Sequence, residues 1–284
     1  MQQEMKKNIL LILTLCIAWI NATAQCPIKN TAFKSGETLM YDMYFNWKFV
    51  WFKVGNASLT INSTSYKGKD AFRASLITRT SSKADKYFIM RDTLKSYVSN
   101  ELVPLYYTKR AKEGDRYRTD EVWYSYKDGM SHAKMKHRNR KGEIKEKTVS
   151  RANCIYDMLS IMLRARCMNL DNVKKGFTYN FQMTDAGDIH NEKLVFQGRS
   201  TFQVEHTSTK YRTLVFSYIE KDEDTGKDVE LVKFYITDDK NHLPVRLDMN
   251  LKFGTAKAFL IGAHNILNPQ TAKVSGKKVA AGTK

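Results

Sequence analysis

The residues that could perform catalysis or bind a metal are scattered along the chain. No two of the histidines, and no histidine and cysteine, stand at the spacing of a metal site. Asp222 and Asp224 before Gly226 resemble the start of a calcium loop, but the full ligand pattern is absent, so we interpret them as a polar hairpin turn. Nucleophile-elbow, phosphate-loop, zinc-protease and dinucleotide motifs are also absent. The sequence therefore predicts no metal and no cofactor, and it assigns no catalytic residue. The histidines are His132, His137, His190, His206, His242 and His264.

The first residues predict export. Lys6 and Lys7 precede an apolar run that ends at Ile20, and Ala22-Thr23-Ala24 forms a cleavage site. The run is shorter than the roughly 20 apolar residues that an anchor needs. We therefore predict a signal peptide over residues 1–24, and a mature protein in the periplasm or cell envelope.

Three cysteines remain after cleavage, in a compartment that favours oxidation. Gln25 directly before Cys26 argues against lipid attachment, which needs a small residue there. Cys154 and Cys167 lie about 20 Å apart along a continuous helix, too far for a disulfide. We predict that any bridge within the chain joins Cys26 to the helix, with Cys154 favoured over Cys167.

The chain is strongly basic, with a formal net charge of +18. An exported cation is attracted to anionic lipids and acidic glycans. The densest basic segment is a predicted hairpin, which is either a solvated face or a docking patch for an anionic lipid or glycan surface. Nucleic acid is excluded as a partner by export. The residues of this basic segment are Lys134, Lys136, Arg138, Arg140, Lys141, Lys145 and Lys147.

Alternation of apolar and polar residues dominates the chain, which predicts about fourteen strands separated by glycine-containing turns. From Leu39, every second residue is apolar, so these residues form either one long bent strand or a hairpin that turns at Asn46–Lys48. A curled sheet of this size has one of two interiors: large side chains fill it, or they line a cavity that holds an apolar ligand. The candidate ligand contacts of this aromatic ladder are Tyr41, Phe45, Trp47, Phe49 and Trp51.

One segment, from Asn153 to Arg166, has helical spacing, and Asn153 is placed to cap it. Asp157 and Arg166 lie about 13 Å apart along such a helix, so they cannot pair with each other and must meet partners on the sheet. Two interpretations stay open for Asp157, Ser160 and Arg166: contact with a ligand headgroup, or capping and ion pairing that hold the helix in place.

These features predict a mainly β protein, a single curled antiparallel sheet (barrel or half-barrel) packed by one amphipathic helix. We place one domain at 25–268 and a flexible basic tail at 269–284.

Several short motifs follow one another along the chain, and their residues are Gly36, Glu37, Leu39, Tyr41, Gly55, Asp157, Met158, Leu159, Ser160, Arg166, Leu243, Pro244, Arg246 and Gly254. In this order, the motifs resemble an exported bacterial family, the domain of unknown function numbered thirty-one hundred and eight. The resemblance spans roughly Phe33 to Ile261 and implies a β-rich envelope protein, similar to half-barrel lipoprotein carriers that hold acyl chains under a helix. The family implies no activity.

The function predicted from these observations is non-catalytic binding of an apolar or amphipathic, lipid-like envelope molecule. Two alternatives remain. One is a structural or interaction protein of the envelope with a filled core, and the other is a hydrolase of envelope glycans that uses two facing carboxylates.

Overall fold

The computed structural model describes residues 26–47, 50–204, 209–222, 225–251 and 254–275, and the predicted signal peptide lies outside them. The described residues form sixteen strands, the α-helix α1 (Met158–Arg166) and a short 3-10 turn (Ala84–Lys86). No helix among these residues is long and apolar enough to span a membrane. The strands are β1 Glu37–Trp47, β2 Val50–Tyr66, β3 Lys69–Thr80, β4 Met90–Ser99, β5 Pro104–Glu113, β6 Arg116–Lys127, β7 Met130–Arg138, β8 Ile144–Arg151, β9 Ile155–Tyr156, β10 Thr178–Asp185, β11 Asp188–Gln203, β12 Thr209–Lys221, β13 Asp228–Thr237, β14 Pro244–Leu251, β15 Gly254–His264 and β16 Lys273–Ser275.

All the strands belong to one sheet. Its order is β8-β7-β6-β5-β4-β3-β2-β1-β15-β14-β13-β12-β11-β10-β9, with β16 added to β12. Neighbouring strands are antiparallel except β9 and β10, which are parallel. The sheet curls into a nearly closed barrel with α1 packed on it, so the predicted fold class is confirmed.

Antiparallel pairing places alternate turns at opposite ends of the barrel. One end, which we call the turn rim, carries the connections after β1, β3, β5, β7, β10, β12 and β14. The other end, the helix rim, carries α1, the start of β1 and the chain after β15.

The N-terminal aromatic ladder is a hairpin. Trp47 pairs with Val50, Phe45 with Phe52 and Asn46 with Trp51. Because Trp51 pairs with Asn46 and paired residues share a face, Trp51 lies on the face opposite to that of Phe45, the neighbour of Asn46 in β1. Of the two forms left open for the ladder, the chain adopts the hairpin, and the candidate contacts Phe45 and Trp51 therefore face opposite ways.

The helix begins later than the spacing predicted. Ile155 and Tyr156 form β9 and pair with Gln182 and Met183 of β10. Asp157, with extended backbone, is the N-cap of α1. Asn153 is therefore not the N-cap, because Ile155 and Tyr156, which follow it, are in a strand and the helix starts only after them.

The interior of the barrel is filled by side chains of the described residues. Leu39, Ile61 and Val245 from the sheet and Leu163 from α1 are all fully buried in one continuous cluster. The sequence analysis left open whether large side chains fill the interior or line a ligand cavity, and these residues fill it.

The chain after β15 stays ordered beyond the predicted boundary at 268. Ala272 is fully buried, and β16 pairs with the start of β12 through Lys210↔Val274. The backbone N–H of Ala272 donates to Asp239 at 3.1 Å. The predicted flexible tail therefore begins too early. Its residues from 276 onward lie outside the described residues.

Candidate functional site

Asp157 anchors the start of α1 and is fully buried. Its carboxylate accepts hydrogen bonds from the backbone N–H of Leu159 and Ser160 and from the Ser96 hydroxyl of β4 at 3.0 Å. The Ser160 hydroxyl in turn accepts from the Asp157 N–H, which completes a capping box. Burial raises the pKa of Asp157 to about 6, and the hydrogen bonds from Ser160 and Ser96 partly oppose that rise.

Arg166 anchors the end of α1. Its guanidinium donates to both carboxylate oxygens of Glu37 on β1, at 2.6 and 3.1 Å. The remaining hydrogen bonds go to the carbonyl oxygens of Asn241 and Ala32. The prediction that Asp157 and Arg166 meet separate partners on the sheet is confirmed. Contact of these residues with a ligand stays a prediction.

Tyr41 and Arg246, two further residues of the family-like motifs, also make contacts that hold the fold together. The Tyr41 hydroxyl donates to the carbonyl oxygen of Pro244 at 3.0 Å, and burial raises the pKa of Tyr41. Arg246 forms a bidentate bond with Asp248 and lies 4.8 Å from the ring centre of Tyr235. These contacts join β1, β13 and β14, so the motifs position strands.

The aromatic candidates do not form one cluster. Tyr41 is buried, whereas Phe45 and Trp51 are half-buried on opposite faces. The Lys257 ammonium lies 4.1 Å from the ring centre of Trp51. The Trp47 side chain and Phe49 lie outside the described residues.

The basic segment is divided between the two faces of β7 and β8. Lys145 and Lys147 both bind Asp188, while Lys136 pairs with Glu146 and Arg140 with Glu113. Among the described residues, no ion pair involves the remaining three cations, which are Lys134, Arg138 and Lys141. Ion pairing thus leaves a smaller uncompensated charge here than the sequence predicted.

Cys26 and Cys154 are joined by a disulfide, with their Cα atoms 5.3 Å apart. This is the pair that the sequence analysis favoured. Cys167 is a free, buried thiol. The carbonyl oxygen of Cys26 also accepts a hydrogen bond from Arg164 of α1 at 2.6 Å. Cys26, the first described residue, is therefore tied to both ends of the segment that carries the helix.

The turn between β10 and β11 closes the gap between the two ends of the sheet. Asp188 binds Lys145 and Lys147 of β8, and hydrogen bonds from these lysines lower the pKa of Asp188 to about 2. On the other side of the turn, Asp185 lies 3.3 Å from Lys109 of β5. We call these five residues, Lys109, Lys145, Lys147, Asp185 and Asp188, the seam.

The turn rim carries a concentration of exposed apolar side chains that the sequence analysis did not identify. Of fifteen exposed large apolar side chains among the described residues, eight lie at the turns of this rim. Tyr87 is 92% exposed, Ile144 60% and Val50 53%. Apolar residues at turns, where polar ones are expected, were the signal available in the sequence. The eight are Val50, Phe52, Tyr87, Phe88, Tyr117, Ile144, Val229 and Leu251.

Cations lie between these apolar residues. Seven exposed lysines and arginines of the turn rim form no ion pair among the described residues. No carboxylate of the described part of the chain therefore lies within ion-pair distance of these seven charges. These cations are Lys83, Lys86, Lys112, Arg116, Lys141, Lys221 and Lys227.

The structure also brings together three possible metal ligands that no sequence spacing indicated. Ligand atoms of His190, Glu192 and Glu220 all lie within 4.8 Å of one another. Burial and the neighbouring Glu220 charge raise the pKa of Glu192 to about 7. Two residues come from β11 and one from β12, so only strand pairing reveals the group.

The fold and these sites define a barrel-like, single-sheet β protein closed by one helix and a salt-bridged turn. The chain belongs to the family described as protein of unknown function (DUF3108), whose model matches residues 40–261. The resemblance stated from the sequence motifs is thereby confirmed.

Structures of other proteins align with this chain. A beta-barrel-like protein of domain of unknown function DUF1849 from Brucella abortus aligns with a TM-score of 0.53 and 11% identity, covering 84% of this chain and 100% of that one. A protein with a YmcC-like fold from Bacteroides fragilis aligns over 86% of this chain and 100% of its own, with a TM-score of 0.32 and 8% identity. No curated protein matches the chain. The first alignment supports the fold alone.

Proposed function

We propose that this protein is an exported, non-catalytic envelope protein that binds the surface of an anionic lipid leaflet through its turn rim. The observation that carries this proposal is the grouping of exposed apolar side chains with unpaired cations at one end of the barrel. Apolar side chains that insert among acyl chains, together with cations that meet phosphate headgroups, are the two contributions that hold a peripheral protein on a membrane.

The packed interior supports contact at the surface over storage inside the barrel. Leu39, Ile61, Leu163 and Val245 are fully buried in one continuous apolar cluster between the sheet and α1. A surface groove of about 620 Å³ lies at the helix rim beside Ile28 and Phe72, away from the interior. These observations support an amphipathic contact at the turn rim, whereas the sequence analysis placed it at the aromatic ladder and α1.

Vesicle co-sedimentation tests the proposal. The mature protein is mixed with vesicles of phosphatidylcholine alone and of phosphatidylcholine with an equal part of phosphatidylglycerol. We expect binding to the anionic vesicles and a decrease in binding as salt increases. Val50→Ser with Phe52→Ser, or Tyr87→Ser with Phe88→Ser, should weaken binding at least about tenfold, because each loses exposed apolar area that inserts into lipid.

A matched control uses two apolar residues of the helix rim, Phe177 and Leu267, which are 41% and 42% exposed. Their double replacement by serine should leave binding unchanged. The proposal is wrong if the wild-type protein binds neither kind of vesicle. It is also wrong if the turn-rim variants bind the anionic vesicles as tightly as the control variant does.

A further inference from the structure

We infer that His190, Glu192 and Glu220 form a binding site for a divalent transition-metal ion, at the end of the barrel that carries the turn rim. The site is separate from the proposed lipid contact and does not depend on it. Its three side chains come from two adjacent strands, and their ligand atoms already lie within 4.8 Å of one another.

Strand register explains why the three side chains meet. His190 and Glu192 are two residues apart on β11, so they project from the same face. Glu192 precedes Lys193, which pairs with Ile219, and Glu220 is the next residue of β12. Glu192 and Glu220 are therefore cross-strand neighbours, and two carboxylates placed in this way repel each other unless a cation or a proton separates them.

An unsatisfied atom points to the cation. Glu192 is only 3% exposed, and its Oε2 atom has no hydrogen-bond partner among the described residues. A buried acceptor without a partner is costly, so it calls for an explanation such as an ion. No described lysine or arginine forms an ion pair with Glu192 or Glu220. The nearest lysine along the strand, Lys193, projects to the other face and binds Asp228 at 2.5 Å.

The geometry fits a small ion. Nitrogen and oxygen ligands lie about 2.0–2.2 Å from a tetrahedral Zn²⁺, so they lie about 3.3–3.6 Å from one another. Ligand atoms that already lie within 4.8 Å of one another reach this arrangement when each side chain moves by about 1 Å or less. One imidazole with two carboxylates is a ligand set for Zn²⁺ or Mn²⁺, and Zn²⁺ binds more tightly at a given site. His190 and Glu220 are half-buried, which leaves a path for the ion and positions for water.

Isothermal titration of chelator-treated mature protein with zinc chloride tests the inference. We expect one ion per chain, and a higher melting temperature with zinc present. His190→Ala and Glu192→Gln should each weaken binding more than about tenfold, since loss of even an outer partner of a metal ligand costs 10- to 100-fold. His132→Ala is the control, because His132 is also strand-borne and half-buried but bonds to Ser150.

Circular dichroism of each variant establishes that it is folded, and His190→Asn replaces Glu192→Gln if the latter does not fold. The inference is overturned if wild-type protein takes up no zinc, or if the His190 variants bind it as tightly as wild type does. A shared proton between Glu192 and Glu220 would give the first of these results. Glu192→Gln would then raise the melting temperature at neutral pH. Loss of zinc binding in the variants with unchanged vesicle binding would support this site independently of the proposed function.

Discussion

Arg166 and Glu37 form an ion pair that is 2% and 0% exposed, at the junction of α1, β1 and the N-terminal segment. The pair costs desolvation energy on both sides, and hydrogen bonds to Asn241 and Ala32 offset part of it. Such a pair stabilises little in net terms, but it specifies where the end of the helix must lie. Loss of one partner leaves a buried charge without compensation.

We therefore expect Arg166→Met to lower the free energy of unfolding by about 3–5 kcal/mol. The double variant Glu37→Leu with Arg166→Met should lose much less than the sum of the two single variants, because no buried charge remains. Urea denaturation of the four proteins measures the coupling. Additive losses, or a cost below about 1 kcal/mol for Arg166→Met, would show that the ion pair is not the anchor.

The helix is an element held from three sides. Asp157 binds β4 at its start, Arg166 binds β1 at its end, and the disulfide of Cys154 lies just before it. Nine residues are too few for a stable isolated helix, so α1 depends on these attachments and on the burial of residues such as Leu163.

Removal of the disulfide tests how far the segment depends on it. The bridge closes 128 residues, and loops of this length are worth about 2–5 kcal/mol. We expect the double variant Cys26→Ala with Cys154→Ala to lose stability in that range under oxidising conditions. Addition of reductant should then lower the stability of the wild-type protein but not that of this variant. Cys167→Ala, which removes the free thiol, should keep the sensitivity to reductant.

At the scale of the whole molecule, the barrel is completed by side chains because β8 and β9 do not pair. Asp185 and Asp188 at the turn between β10 and β11 bind Lys109, Lys145 and Lys147 on strands from the other end of the sheet. Ion pairs that are partly exposed contribute little each, so this closure is the part of the barrel that should open first.

Asp188→Asn should open the seam. We expect faster amide hydrogen exchange in β8 and in the turn after β10, with the strands far from the seam unchanged. The pKa of Asp188 is lowered from its ordinary value of 3.8 to about 2, so its contribution is present above pH 4 and is lost as the pH falls through 2. The difference in stability between wild type and variant should disappear over that range.

Asp128→Asn is the matched control, because the Asp128 side chain is 81% exposed and its nearest cation, Lys127, is 3.9 Å away. It should change neither the exchange of β8 nor the acid dependence. Equal effects of the two variants would mean that the seam salt bridges do not hold the barrel closed.

Local patterns in the sequence determined the strand-rich fold, the antiparallel turns and the one α-helix of the described residues, because alternation and helical spacing are properties of neighbouring residues. The prediction that Asp157 and Arg166 bind the sheet also needed no coordinates, since helix geometry keeps them apart. The helix start was missed because β9 pairs with β10, a contact distant in the chain.

The tertiary structure alone decided what depends on register and on packing between distant strands. A two-residue connection placed Trp51 opposite to Phe45, and strand pairing brought Glu220 beside His190 and Glu192. The filling of the barrel and the gathering of apolar turns on one rim also depend on how all the strands curl together. Spacing along the chain reports which residues can share a strand face, whereas a site built across strands exists only once their register is set.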